Sequence, residues 1–165
     1  MRSGHPDGRQ PEWLHGALVG LVAAAVGTLT LIAVGALSGQ GPEILARVGK
    51  GPWPSLVRAI TGTSPSLSYI VSHTTLYLLA GIVALAIARV ADRIPVLLTG
   101  LLLVVLVIEF SFLVVMTGWT ALGHFDHLTW RAVLIAHAVA DVFLVIGIVR
   151  VHPSLRQAFR RAYQE

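Results

Sequence analysis

The sequence predicts an all-α fold, an integral membrane four-helix bundle with both termini cytoplasmic. Three observations predict it. Of 165 residues, 55% are hydrophobic and 12% charged, against about 25% charged in an ordinary soluble domain. The apolar residues fall in long runs, and four of these reach the length of about 20 residues that crosses a hydrocarbon layer. The basic residues stand at the edges of the runs rather than in a patch interleaved with aromatics, so the net charge of +4 points to membrane topology and not to nucleic acid.

The spans are expected at Trp13 to Ser38, Leu67 to Val90, Ile94 to Thr117 and Trp130 to Val149, in one membrane domain covering residues 1–165. Only Ala91, Asp92 and Arg93 separate the second span from the third. So short a link forces an antiparallel hairpin, because it cannot return across the bilayer. Four spans put both termini on one side. With them lie Arg2, Arg9, Arg89, Arg93, Arg150, Arg156, Arg160 and Arg161, against Arg47, Lys50, Arg58 and Arg131 opposite, and the positive-inside bias makes the richer side cytoplasmic. The run from Ala17 to Leu37 exceeds the 7 to 15 residues of a signal-peptide core, so the first span reads as a retained helix. Eleven Arg against one Lys suggests a GC-rich genome, and with it a bacterial plasma (inner) membrane.

The connections differ in character. Residues 39–66 carry Gly41, Gly49, Gly51, Gly62, Pro42, Pro52, Pro54 and Pro65, too much punctuation for one long helix. Two apolar stretches inside this outer loop, Glu43 to Val48 and Ser55 to Ile60, suit short turns lying in the headgroup layer, with Trp53 as an interfacial anchor. The tail from residue 150 to 165 spaces Leu155, Phe159 and Tyr163 four apart around Arg156 and Arg160, the pattern of a basic amphipathic helix on the inner surface.

Chemistry is sought where the sequence carries an avoidable cost. An ionisable side chain at bilayer depth costs about 2.5 to 3.5 kcal/mol on insertion scales and usually faces the bundle interior. Four such residues stand inside the spans: His73, Glu109, His137 and Asp141. Counted from the outer end of each span at 1.5 Å per residue, they lie roughly 9, 12, 10 and 16 Å deep, so three helices deliver them to one layer. His137 and Asp141, four apart, share a helix face. Following His73 along its helix gives Tyr77, then Ala80, Gly81, Ala84 and Ala88, while the first span offers Gly16, Gly20, Ala23, Ala24 and Gly27. These two small-residue faces are expected to touch.

Several chemistries fit the layer. Imidazoles and carboxylates are ligands for iron, manganese or zinc, so His73, Glu109, His137 and Asp141 form a candidate metal site. His73 and His137 alone could hold a b-type haem from opposite sides, with Arg58 or Arg131 meeting its propionates. The same four residues also suit a proton or ion relay. The outer-loop residues His124, Asp126 and His127 are a further possible contribution to such a site. A rival of another kind is an accessory subunit of a larger membrane complex, or a homo-oligomer, whose polar network only fixes packing.

With no cysteine, thiol catalysis, disulfides and cysteine-held clusters are excluded. No Walker loop, nucleophile elbow, His-Glu-x-x-His or dinucleotide fingerprint is present either.

Overall fold

The computed structural model describes residues 12–91 and 127–154, together with residues 114 and 157. Every regular element among them is helical: α1 (Glu12–Leu37), α2 (Glu43–Val48), α3 (Pro52–Thr61), α4 (Pro65–Ala91) and α5 (His127–Val151). Three of these, α1, α4 and α5, are long and apolar enough to cross a membrane. The expected third span, Ile94 to Thr117, lies outside the described residues apart from Val114, as does most of the tail.

Local chemistry sets the element ends. The run of α1 contains no proline and stops at Gly39, whose φ of 75° is a left-handed conformation that glycine adopts without strain. The Gly35 carbonyl there accepts from the backbone N–H groups of Gln40 (2.8 Å) and Gly41 (3.0 Å). Helix α3 ends on Gly62, also left-handed, whose N–H donates to the Arg58 carbonyl at 2.8 Å. Ser64 then opens α4: its hydroxyl accepts from the Leu67 N–H at 3.4 Å, and Pro65 fills a first-turn position that needs no donor.

Helix α3 begins three residues earlier than the expected Ser55, taking in Pro52 and Pro54. Proline reads as a breaker in a sequence, yet within the first helical turn its missing N–H leaves nothing unsatisfied. A second difference concerns α2. Its Ile44, Leu45 and Val48 do not face outward but are buried against α1, α4 and α5. Three apolar side chains in six residues are enough to pull so short a helix into the bundle end.

Helix α1 lies between α4 and α5 and packs extensively on both, running antiparallel to each, whereas α4 and α5 meet each other sparingly. Glu12, Ala91 and Val151 are thus at one end of the bundle, and α2 with α3 at the other. The core is tiered along this axis. Leu31, Ile44, Val48, Tyr69, Val133 and Ala136 pack at the α2 end; Ala23, Ala24, Tyr77 and Ala140 follow; Leu85, Ala88 and Ile148 close the far end.

The expected contact between small-residue faces is present. A Cβ built on Gly16 would stand 2.7 Å from the Gly81 carbonyl oxygen, and one on Gly20 would collide with the Tyr77 carbonyl. Gly81 is equally confined by the backbone of Gly16 and Gly20. The two backbones approach so closely that only hydrogen fits between them, which is the packing that membrane helices use in place of a hydrophobic driving force.

A candidate site between two parallel helices

The face of α4 toward the bundle carries Tyr69, His73 and Tyr77 at intervals of four, so helical geometry stacks the three rings in a column. All three are buried, each with 4% of its surface exposed. The Tyr69 and His73 rings are stacked, with centroids 5.1 Å apart and planes at 18°. His73 and Tyr77 follow at 4.8 Å, tilted by 58°.

Across from this column, α5 contributes His137 and Asp141. The His137 ring meets His73 edge-on at 5.4 Å between centroids and Tyr77 at 6.0 Å. The Tyr77 hydroxyl donates to Asp141 Oδ1 at 2.9 Å and also approaches the His137 backbone carbonyl at 3.4 Å. Three of the four residues singled out from the sequence, His73, His137 and Asp141, are therefore brought into one cluster, with Tyr77 as the link between them.

The floor is α1. A Cβ on Gly27 would lie 3.0 Å from His73 Nε2, 2.9 Å from the Ala140 Cβ and 3.3 Å from the Ala136 carbonyl oxygen. Gly27 thus gives the imidazole the room it occupies, and Ala23, Ala24 and Ala140 keep the surroundings small. Between residues 16 and 37 α1 carries no titratable side chain, so among the described residues the ionisable groups of the cluster come from α4 and α5. The Tyr69 hydroxyl and His73 Nε2 are buried without a hydrogen-bond partner among the described residues. An unsatisfied buried polar atom costs about 1 to 3 kcal/mol.

Glu109, His124 and Asp126 lie outside the described residues, and of His127 only the backbone, at the start of α5, is described. Among the described residues no three His, Asp or Glu side chains form a group that could hold a metal ion. The direct edge contact between His73 and His137 also differs from a haem-ligating pair, which stands apart with the porphyrin plane between the two rings.

Tyr69 was missed by reasoning from the sequence, although the signal was present: it precedes His73 by the same four residues that separate His73 from Tyr77. Counting only residues that carry charge passed over a phenol one turn away.

Comparison of the chain with protein-family models, with curated proteins and with solved structures finds no match.

Proposed function

We propose that the cluster of His73, Tyr77, His137 and Asp141 is a proton-exchange site within a small integral membrane protein. The observation that carries this reading is the 2.9 Å hydrogen bond from the Tyr77 hydroxyl to Asp141, made in ring contact with two imidazoles. Carboxyl, phenol and imidazole groups each bind and release protons, and intramembrane chains of such groups commonly serve proton transfer. Purely structural bonds between helices could use serine, threonine or asparagine without placing an ionisable group in lipid.

The extent of the row among the described residues favours exchange with one side over conduction across the bilayer. From Tyr69 to Tyr77 it covers eight residues, about 12 Å of a hydrocarbon layer about 30 Å thick. Beyond Tyr77 the buried face of α4 turns to Gly81, Leu85 and Ala88, whose side chains cannot exchange a proton. With cytoplasmic termini and the α2 end outside, as the charge distribution favours, the row belongs to the outer half of a bacterial inner membrane. Glu109, expected at the same depth, would extend the row from the expected third span. A metal or haem finds less support, because the imidazoles contact each other and no set of three ligands gathers among the described residues.

The test is a count of protons taken up on an acid pH jump by protein reconstituted in vesicles. Wild type is expected to bind at least about one proton more than His73→Leu/His137→Leu or Asp141→Asn. Equal uptake by folded wild type and variants would contradict the reading and leave the network as interhelical glue in a subunit of a larger assembly.

A further inference from the structure

The surface that the proton site does not use is α3. Its Trp53, Leu56 and Ile60 are 75%, 54% and 77% exposed, and at positions 0, +3 and +7 they form one apolar stripe. The opposite side, with Pro54, Val57 and Arg58, turns toward the protein and is buried or half-buried. A helix this short gains nothing by displaying a tryptophan and an isoleucine to water.

Two features choose the occupant of this face. The first is charge: residues 39–66 contain Arg47, Lys50 and Arg58 against the single acid Glu43, which suits an anionic surface. The second is continuity. Helix α3 packs on α4, whose adjoining exposed residues Leu67, Ile70 and Val71 begin its apolar outer side.

Helix α3 is also rigidly joined to α2. Only Gly49, Lys50 and Gly51 separate them, and backbone bonds run through the joint, from Gly49 N–H to the Leu45 carbonyl (2.9 Å), Gly51 N–H to the Val48 carbonyl (2.9 Å) and Ser55 N–H to the Gly51 carbonyl (3.0 Å). Gly49 is pressed against the Pro65 carbonyl so tightly that no Cβ fits. What holds α3 therefore holds α2, and α2 packs over Tyr69, the end member of the ring column.

We infer that α3 is a membrane-surface anchor. Its Trp53, Leu56 and Ile60 stripe enters the interfacial layer among anionic lipid headgroups drawn by the exposed Lys50, and that grip seats α2 as a plug over the Tyr69 end of the row. Tryptophan is the side chain best suited to this depth, with an apolar body and one N–H donor.

The experiment leaves proton uptake aside and so fails or succeeds independently of the proposed function. Trp13, Trp119 and Trp130 are replaced by Phe, and the protein is reconstituted in phosphatidylcholine vesicles with or without phosphatidylglycerol. Quenching of Trp53 by brominated acyl chains is expected to exceed quenching by aqueous iodide at least about twofold, and to rise with the anionic lipid. Because the chain has no cysteine, a spin label at Ile60→Cys in the otherwise unaltered protein gives a second measure of depth, independent of the tryptophan replacements. For the plug, Ile44→Cys is expected to react with a water-soluble thiol reagent at least about tenfold faster once Trp53, Leu56 and Ile60 are all changed to Ser. Iodide quenching that matches or exceeds lipid quenching, with a water-exposed label at position 60, would overturn the anchor and make the stripe a docking face for a protein. Indifference to phosphatidylglycerol would overturn the headgroup assignment, and an unchanged thiol rate would overturn the plug.

Discussion

Helix α4 meets its two neighbours in opposite ways. Against α1 it brings backbone to backbone, with Gly16 and Gly20 seated on Gly81 and Tyr77 so that no side chain intervenes. Toward α5 it comes only as close as side chains allow, and rings and a carboxylate fill the space: His73 on His137, Tyr77 on Asp141. The first contact is apolar and made of dispersion; the second is polar and made of titratable groups. The difference separates what holds the bundle from what the bundle holds. A close glycine seam tolerates no added volume, whereas a polar row can be altered one group at a time without the helices losing their places.

The largest effect is expected from filling the seam. Gly20→Val would put its branched side chain into the Tyr77 backbone, and we expect a loss of at least about 3 kcal/mol, read as a collapse of the folded fraction during thermal unfolding in detergent. A smaller loss, of about 1 to 3 kcal/mol, is expected for Gly27→Ala, because the added methyl meets the side-chain atoms His73 Nε2 and Ala140 Cβ along with the Ala136 carbonyl oxygen. That variant also tests the row, since the imidazole must shift, and the ring-nitrogen resonances of His73 should move with it. If Gly20→Val were tolerated as well as Gly27→Ala, the contrast between the two interfaces would fail.

Tyr77→Phe removes the hydroxyl and keeps the ring. It is expected to cost about 0.6 kcal/mol and at most about 1.7 kcal/mol, the mean and the maximum measured for hydrogen bonds between membrane helices, and to shift the carboxyl stretch of Asp141 in the infrared. The smallest stability change is expected for His73→Leu, because replacing a buried polar group whose Nε2 has no partner among the described residues by an apolar one of similar size is close to neutral or stabilising. The same substitution should reduce proton uptake. Stability retained with uptake lost is the signature of a group kept for chemistry at the expense of packing.

Much of this was legible beforehand. The long helices announced themselves by apolar run length, and the seam by small residues four apart on two spans. The meeting of His73, His137 and Asp141 was anticipated by counting depth, while Glu109, counted into the same layer, lies outside the described residues. Three things were hidden for physical reasons. Tyr69 carries no charge, so a search for costly groups passed it by. Prolines at 52 and 54 looked like breaks because their permission within a first turn depends on where the helix starts. The burial of α2 depends on the space left between the ends of α1, α4 and α5, and no local pattern encodes that space. Tyr77 was placed on the face of His73, but its pairing with Asp141, 64 residues along the chain, rests on the relative rotation of two helices.

The central claim is that His73 and His137 gain and lose protons as members of one network ending on Asp141. Its most direct test is nitrogen-15 solid-state NMR of the two imidazoles in bilayers while the bulk is titrated between about pH 5 and 8. The account predicts that both ring systems change protonation over a shared range, and that Asp141→Asn alters the behaviour of both together. Two imidazoles fixed in one neutral tautomer throughout, and indifferent to Asp141→Asn, would contradict it.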